Sequence, residues 1–318
     1  MTTRSRLSAL AWLALAGSAV AGCGGSFDPY NRLNSLRVLA IRSGALPGEP
    51  VAPAMGETTT IDAKIYTLPG HDATNVWSWC PFTTAPGGAC PITEDQASML
   101  AGIPVSFTLP TDATDGSTKF TNPFPPELLQ TLCAGMGNIP APDCTNGFPI
   151  QLQLTTSTDN DAVQAVRPLY LTFDPGQANQ NPTVTGLYAA VGGGAGQPFD
   201  GDPPAMMPTL PRNVKTAINT TIDANDSEMY MGKDDNNDPA LVNERLNLSW
   251  FVESGDTDHQ RTAYIAGQVA LQDAATVKWT PAFKKDYAPD TSRLILIIRD
   301  DRQGVGWIDG IVSLEPTP

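Results

Sequence analysis

The chain has 318 residues, 19 Lys and Arg against 33 Asp and Glu, and a net charge of −14. Such a surface repels phosphate backbones and anionic headgroups, which excludes nucleic acid as a partner. With 28 Gly and 29 Pro scattered along it and few helix-length periodic runs, the body reads as strands and turns.

At the N-terminus, Arg4 and Arg6 precede an apolar segment from about Leu7 to Val20. A charged region followed by a short greasy one is the order of a secretory signal peptide, too short to remain as a spanning helix. The tetrad Val20-Ala21-Gly22-Cys23 at its end resembles the lipobox of bacterial lipoproteins. That resemblance implies cleavage after residue 22, a diacylglyceryl group on the Cys23 thiol, and a lipidated tether over 23 to 34. Gly24 stands where enteric-type sorting uses Asp for retention, which points to the outer membrane. Removal of 1 to 22 leaves 296 residues with 17 basic and 33 acidic side chains, a net charge of −16. That length accommodates two domains.

Export places the body where thiols oxidise. Cys80 and Cys90 bracket PFTTAPGGA, and Cys133 and Cys144 bracket AGMGNIPAPD. Four cysteines allow three pairings, and the two local ones are favoured because both intervening stretches are Gly/Pro loops. Zinc is disfavoured by the wide spacing and the lack of accompanying histidines.

In chain order, SLRVLAIRS (35 to 43), TIDAKIYTL (60 to 68) and NVWSWCPF (75 to 82) read as strands. PITEDQASMLAG follows as a helix, with Thr93 and Gln96 in capping-box spacing, and PPELLQTLCAGMG as a second with Pro at its start and Gly at its end. Both are expected to cover sandwich edges. PIQLQLTTSTDNDAVQAVRPLYL (149 to 171) closes the unit as a strand pair.

A short linker, 175 to 181, leads to a second copy: PTVTGLYAA (182 to 190), a long surface loop at 192 to 213, VKTAINTTI (214 to 222) and LNLSWFVE (246 to 253). RLILIIRDDRQGVGWIDGIVSL (293 to 314) ends it as a hairpin that turns at Asp300 to Gly304. Both third strands carry a Ser-Trp step, and alternation sets Leu246, Leu248, Trp250 and Val252 on one face with Asn247 and Ser249 opposite. A Trp on a middle strand, several short alternating strands and a terminal hairpin resemble an immunoglobulin-like sandwich, and the order of pieces, with LRVLAIR starting the first sheet soon after Cys23, resembles the Ig-like bodies of predicted Gram-negative lipoproteins. The expectation is an all-β chain of two tandem Ig-like sandwiches, 35 to 174 and 182 to 316, with short helical insertions. The cysteines do not occupy the intersheet positions of antibody domains.

Candidate chemistry is sparse. His71 and His259 sit in polar, turn-like settings, and no Gly-x-Ser-x-Gly or His-Glu-x-x-His motif is present, so no catalytic residue is assigned. Asp300-Asp301, between Arg299 and Arg302, reads as a solvated turn. The acidic run 223 to 238 offers Asp223, Asn225, Asp226, Glu228, Asp234 and Asp235 as hard oxygen ligands for calcium, though EF-hand order fails and a solvated loop is favoured. No other cofactor is expected. Trp77, Trp79, Trp250, Trp279 and Trp307 either pack the cores or form a sugar-stacking platform, and core packing is favoured for Trp79 and Trp250. The resulting expectation is a lipid-anchored, non-enzymatic envelope protein with a structural or protein-interaction role. Its partners are the membrane, through Cys23, and an unidentified envelope protein or glycan. The alternative is a surface module for glycan or calcium-dependent adhesion.

Overall fold

The computed structural model describes residues 29 to 316 apart from 83 to 87, 136 to 140, 174 to 178, 202 to 204, 234 to 237 and 282 to 289. Cys23 and the signal segment therefore lie outside the described residues, as do Asp234 and Asp235.

The first sandwich uses β1 (Arg37–Ser43), β2 (Thr58–Tyr66), β3 (Thr74–Cys80), β4 (Thr108–Leu109), β5 (Thr118–Thr121), β6 (Phe148–Ser157) and β7 (Ala162–Leu171). One sheet runs β1-β2-β5 and the other β4-β3-β6-β7. Two helices interrupt it, α1 (Glu94–Ala101) and α2 (Pro126–Ala134). Thr93 and Gln96 form the expected capping box, each side chain bonding the other's backbone N–H. Only Ala97 of α1 is buried, whereas α2 sends Leu129 and Leu132 into the core. That helix closes the core rather than merely covering an edge, because its apolar residues recur three apart on one face.

The second sandwich comprises β8 (Val184–Ala190), β9 (Gln197–Pro198), β10 (Thr209–Leu210), β11 (Thr216–Ile222), β12 (Met229–Lys233), β13 (Pro239–Asn243), β14 (Leu246–Val252), β15 (Asp256–Thr257), β16 (Arg261–Tyr264), β17 (Thr276–Thr280), β18 (Thr291–Arg299) and β19 (Val305–Leu314). A one-turn helix, α3 (Leu271–Ala274), precedes β17. Its sheets run β15-β17-β11-β8-β9 and β10-β19-β18-β14-β16. Taking β1 with β8, β2 with β11, β3 with β14, β4 with β16, β5 with β17, β6 with β18 and β7 with β19, the same three-plus-four partition appears in both halves. That strand order, in two sheets facing each other across one core, is an immunoglobulin-like β-sandwich.

Burial follows the alternation read from sequence. Leu246, Leu248, Trp250 and Val252 enter the second core, with Leu294, Leu296 and Ile298 from β18 beside them. Trp77 and Trp79 enter the first, where Trp79 meets Phe107, Phe120 and Phe124 edge to face at 5.0 to 6.0 Å. Both indole N–H groups of that pair donate to main-chain carbonyls, of Gly116 and Ser106, so their burial leaves no orphaned donor.

The two local disulfides form, Cys80–Cys90 and Cys133–Cys144, closing separations of 10 and 11 residues. In the chain-entropy account each stabilises by about 3 kcal/mol. Replacing Cys133 and Cys144 together by alanine should lower the unfolding free energy measured by urea denaturation by about that amount without altering the strand content seen by circular dichroism.

A third cluster lies between the sandwiches. Leu33 of the N-terminal tether and Leu39, Ala40 and Tyr66 of the first sandwich pack with Phe251, Ile295, Ile297 and Val305 from the outer face of β14, β18 and β19, with Trp307 alongside. Around it, Lys64 pairs with Asp309 at 2.8 Å, and the Arg42 guanidinium stacks 3.9 Å from the Trp307 ring. Asn181 of the linker donates to the carbonyls of Ser43 and Gly44 and accepts from Val305 N–H. The described part of the linker is thus stitched to both halves.

Candidate functional site

Among the described residues, the buried charged side chains Glu244, Asp300 and Arg302 cluster around the β18–β19 turn. The β18–β19 turn is tight: Asp300 N–H donates to Gly304 O, Gln303 takes φ +80°, and Gly304 N–H returns a bond to Asp300 Oδ1. A methyl group at Gly304 would collide with the Asp300 carboxylate and the Gln180 carbonyl, so glycine is required there. Asp300 is 6 % exposed and accepts a further bond from Asn179 Nδ2. This corrects the expectation of a solvated turn, since the linker folds over the carboxylate. Burial raises the Asp300 pKa from the ordinary carboxylate value despite those bonds.

Two residues on, Arg302 is 7 % exposed and reaches Glu244 through Nε and Glu228 through Nη2. Glu244 joins β13 to β14 and Glu228 precedes β12, so one guanidinium clamps both feet of the β12–β13 hairpin. Tyr230 lies with its ring 5.2 Å from the same group. Desolvation lifts the Glu244 carboxyl to about 7, outweighing the opposing bond and charge of Arg302. The arrangement places an acid that titrates near neutrality beneath a projecting hairpin.

That hairpin takes up part of the acidic run 223 to 238, for which the sequence favours a solvated loop over a calcium site. Asp223 caps a short 3-10 turn by accepting from Asn225 N–H, and Asn225 donates its side-chain amide to the same carboxylate. Asp226 accepts from Thr183 N–H at 2.6 Å, and Glu228 pairs with Arg302. The four described members of the candidate ligand set are thus engaged within the fold, Asp223 and Asn225 with each other, Asp226 with Thr183 and Glu228 with Arg302. Among the described residues no group of three or more His, Cys, Asp and Glu is placed to hold a metal ion.

Trp77, Trp79, Trp250 and Trp279 are at most 4 % exposed and present no aromatic face to a sugar. Trp307 is half-buried beneath Arg42. The proposed stacking platform is therefore corrected, because all four indoles fill sandwich interiors. The histidines fall in different halves. His71, between β2 and β3, has Nδ1 2.5 Å from Asp159 Oδ1 in the β6–β7 connection, and His259 is exposed between β15 and β16. His71 also borders a cleft of about 200 Å³ with Asn34, Leu68, Thr158, Asn160 and Asp161.

The chain is thus an all-β protein of two docked immunoglobulin-like sandwiches. No protein-family model matches it and no curated protein is similar to it. Among solved structures it is similar to a chimeric titin Z1Z2-Z1Z2 tandem, at 11 % identity over 88 % of this chain and 97 % of that one, with a TM-score of 0.24. The three N-terminal domains of the bacteriophage RB49 highly immunogenic outer capsid protein give 8 % identity, 89 % and 71 % coverage, and 0.22. A Bacteroides ovatus mixed-linkage glucan utilization locus protein, SGBP-B, gives 9 %, 89 % and 70 %, and 0.20. The immunoglobulin-like assignment rests on the strand order of this chain itself.

Proposed function

We propose that this chain is a lipid-anchored, non-enzymatic outer-membrane protein whose two docked sandwiches act as one interaction body in the cell envelope. The observation that supports this reading most directly is the course of the chain after the lipobox-like Cys23. Asn31 and Leu33 hydrogen-bond both main-chain groups of Val252 at 2.9 Å, and Asn31 Nδ2 bonds Thr257 Oγ1. The Tyr30 ring lies 5.4 Å from that of Phe251, tilted at 48°, and under the Arg261 guanidinium. Residues 30 to 33 thereby fasten to the second sandwich before the chain enters the first. An acylated Cys23 is eight residues from Asn31, which limits the reach to about 28 Å. The body would ride close to the bilayer, with the His71 cleft on the tether side and the β12–β13 hairpin emerging from the other end of β14.

Loops at sandwich ends supply the contacts in this reading, with an envelope protein or glycan as partner. The hairpin exposes Met229, Met231 and Leu241 on one face, Met231 and Leu241 being cross-strand partners. An exposed Met-rich face suits adaptable protein contact. The test is the Cys23→Ala variant followed by membrane fractionation and intact mass measurement. Wild-type protein should partition with membranes and carry the added mass of acyl chains, and the variant should be water-soluble. A soluble wild-type chain with an unmodified mature N-terminus would sink the anchoring.

A further inference from the structure

We propose that the crevice between the two sandwiches is an oxyanion-binding site in which Arg167 of β7 and Arg299 of β18 hold a carboxylate or phosphate group. The crevice has a volume of about 250 Å³, with apolar walls from Val38, Ile41, Val166, Pro168 and Val305, and no carboxylate lines it.

The arginines of this region divide into two kinds. Arg42, Arg293 and Arg302 each pair with an acid, Asp62, Asp309 and the two glutamates respectively. Arg167 and Arg299 pair with none among the described residues. Each bonds instead to a main-chain carbonyl across the junction, Arg167 to Gln303 and Arg299 to Leu39. Arg167 Nη1 is out of solvent with no partner at all.

Both side chains are half-buried, and a guanidinium partly withdrawn from water without a counter-ion is unfavourable, most of all at Arg167 Nη1. Their pKa directions agree: desolvation and the charge of Arg299 bring Arg167 down to about 10, and desolvation also lowers Arg299. The acid closest in effect, Asp300, is already engaged by Asn179 and Gly304 N–H. An anion between the two arginines would supply the missing charge. Guanidinium forks match the planar geometry of carboxylate and phosphate oxygens, and the apolar walls leave room for a small hydrocarbon body beside the charged group.

The experiment uses the full chain carrying Cys23→Ala, titrated with potassium phosphate and with sodium octanoate against potassium chloride of equal ionic strength. Calorimetry should give a one-to-one isotherm for at least one of the two, accompanied by a saturable rise of about 3 °C or more in the melting temperature. Phosphate alone points to an inorganic or phosphorylated ligand, and octanoate alone to a carboxylate on an apolar body. Affinity should fall about tenfold or more in Arg167→Gln and Arg299→Gln. Because either variant can lose the docked arrangement, Arg167→Lys provides a second arm, keeping the charge while removing the fork. A selenate-soaked crystal provides a third, with an anomalous peak expected between the two side chains. No stabilisation beyond the chloride control, an unchanged affinity in Arg167→Gln, or selenate bound only elsewhere would each overturn the site.

Discussion

Replacing Arg302 by alanine is expected to destabilise the chain by about 3 to 5 kcal/mol, the usual cost of breaking a buried ion pair from one side. The reason is asymmetric. Glu244 has a side chain with no exposure, and its Oε2 already lacks a partner, so removing the guanidinium leaves a carboxylate with neither water nor counter-charge. Glu228 loses the same partner, and both feet of the β12–β13 hairpin are released together. Urea denaturation should therefore show a lowered midpoint, and hydrogen exchange should quicken over 229 to 243 before the sandwich strands. Adding Glu244→Leu to Arg302→Ala should recover part of the loss, since a leucine in place of Glu244 requires no counter-charge, while the space left by the guanidinium stays unfilled. A double variant as unstable as the single one would mean that the guanidinium acts through packing on Tyr230 instead.

The same cluster sets a pH dependence. The folded Glu244 carboxyl is raised to about 7 from an unfolded value of 4.5, so the native state binds its proton more tightly than the unfolded chain. Stability should then fall as pH rises from about 4.5 to about 7 and level off above, with Asp300 contributing in the same direction. Glu244 alone contributes at most roughly 1.4 kcal/mol per pH unit, the slope of one fully linked proton, and the opposing effect of Arg302 narrows the interval over which that slope applies. Glu244→Gln should flatten the curve over that interval.

The parts of this architecture that were legible in sequence are those whose signal is local. Alternation in LNLSWFVE assigns Leu246, Leu248 and Trp250 to a core without reference to any other segment, and the Thr93 to Gln96 spacing marks a helix start from four residues. The disulfides were legible because each closes a short Gly/Pro loop. The β12–β13 hairpin was not, since MYMGK and PALVN place Gly, Pro and exposed methionines in strands that draw their fixity from Arg302, some 60 residues onward. Asp300 was misjudged for the same reason: its polar neighbours in sequence suggest solvent, whereas Asn179 covers it from the linker.

One longer-range feature did leave a mark. RLILIIR is apolar at five consecutive positions, and a strand with one wet face would alternate. Leu294, Leu296 and Ile298 satisfy the second core, and Ile295 and Ile297 are left pointing outward. The adjacent strand does the same, with Phe251 opposite in face to Trp250. The continuous apolarity of RLILIIR, with Trp250-Phe251-Val252 beside it on β14, is thus the sequence signature of docking between the sandwiches, and neither half is expected to behave alone.

Ile297→Asp tests that coupling. Ile297 is fully buried on the outer face of β18, so the substitution removes apolar contact and places a charge against Leu39 and Tyr66. The expected loss is at least about 3 kcal/mol, carried by the docking and not by the cores. Wild-type protein should melt in one cooperative transition, and the variant in two, with both disulfide-linked and Trp250-centred cores still forming. Leu296→Ala, one residue away on the opposite face, should instead lower the stability of the second sandwich by about 2 to 5 kcal/mol through a cavity. The pair separates the two burdens that adjacent residues of one strand carry. An Ile297→Asp chain that keeps a single transition at the wild-type midpoint would show that Asn181 and the Lys64–Asp309 pair suffice to hold the halves together.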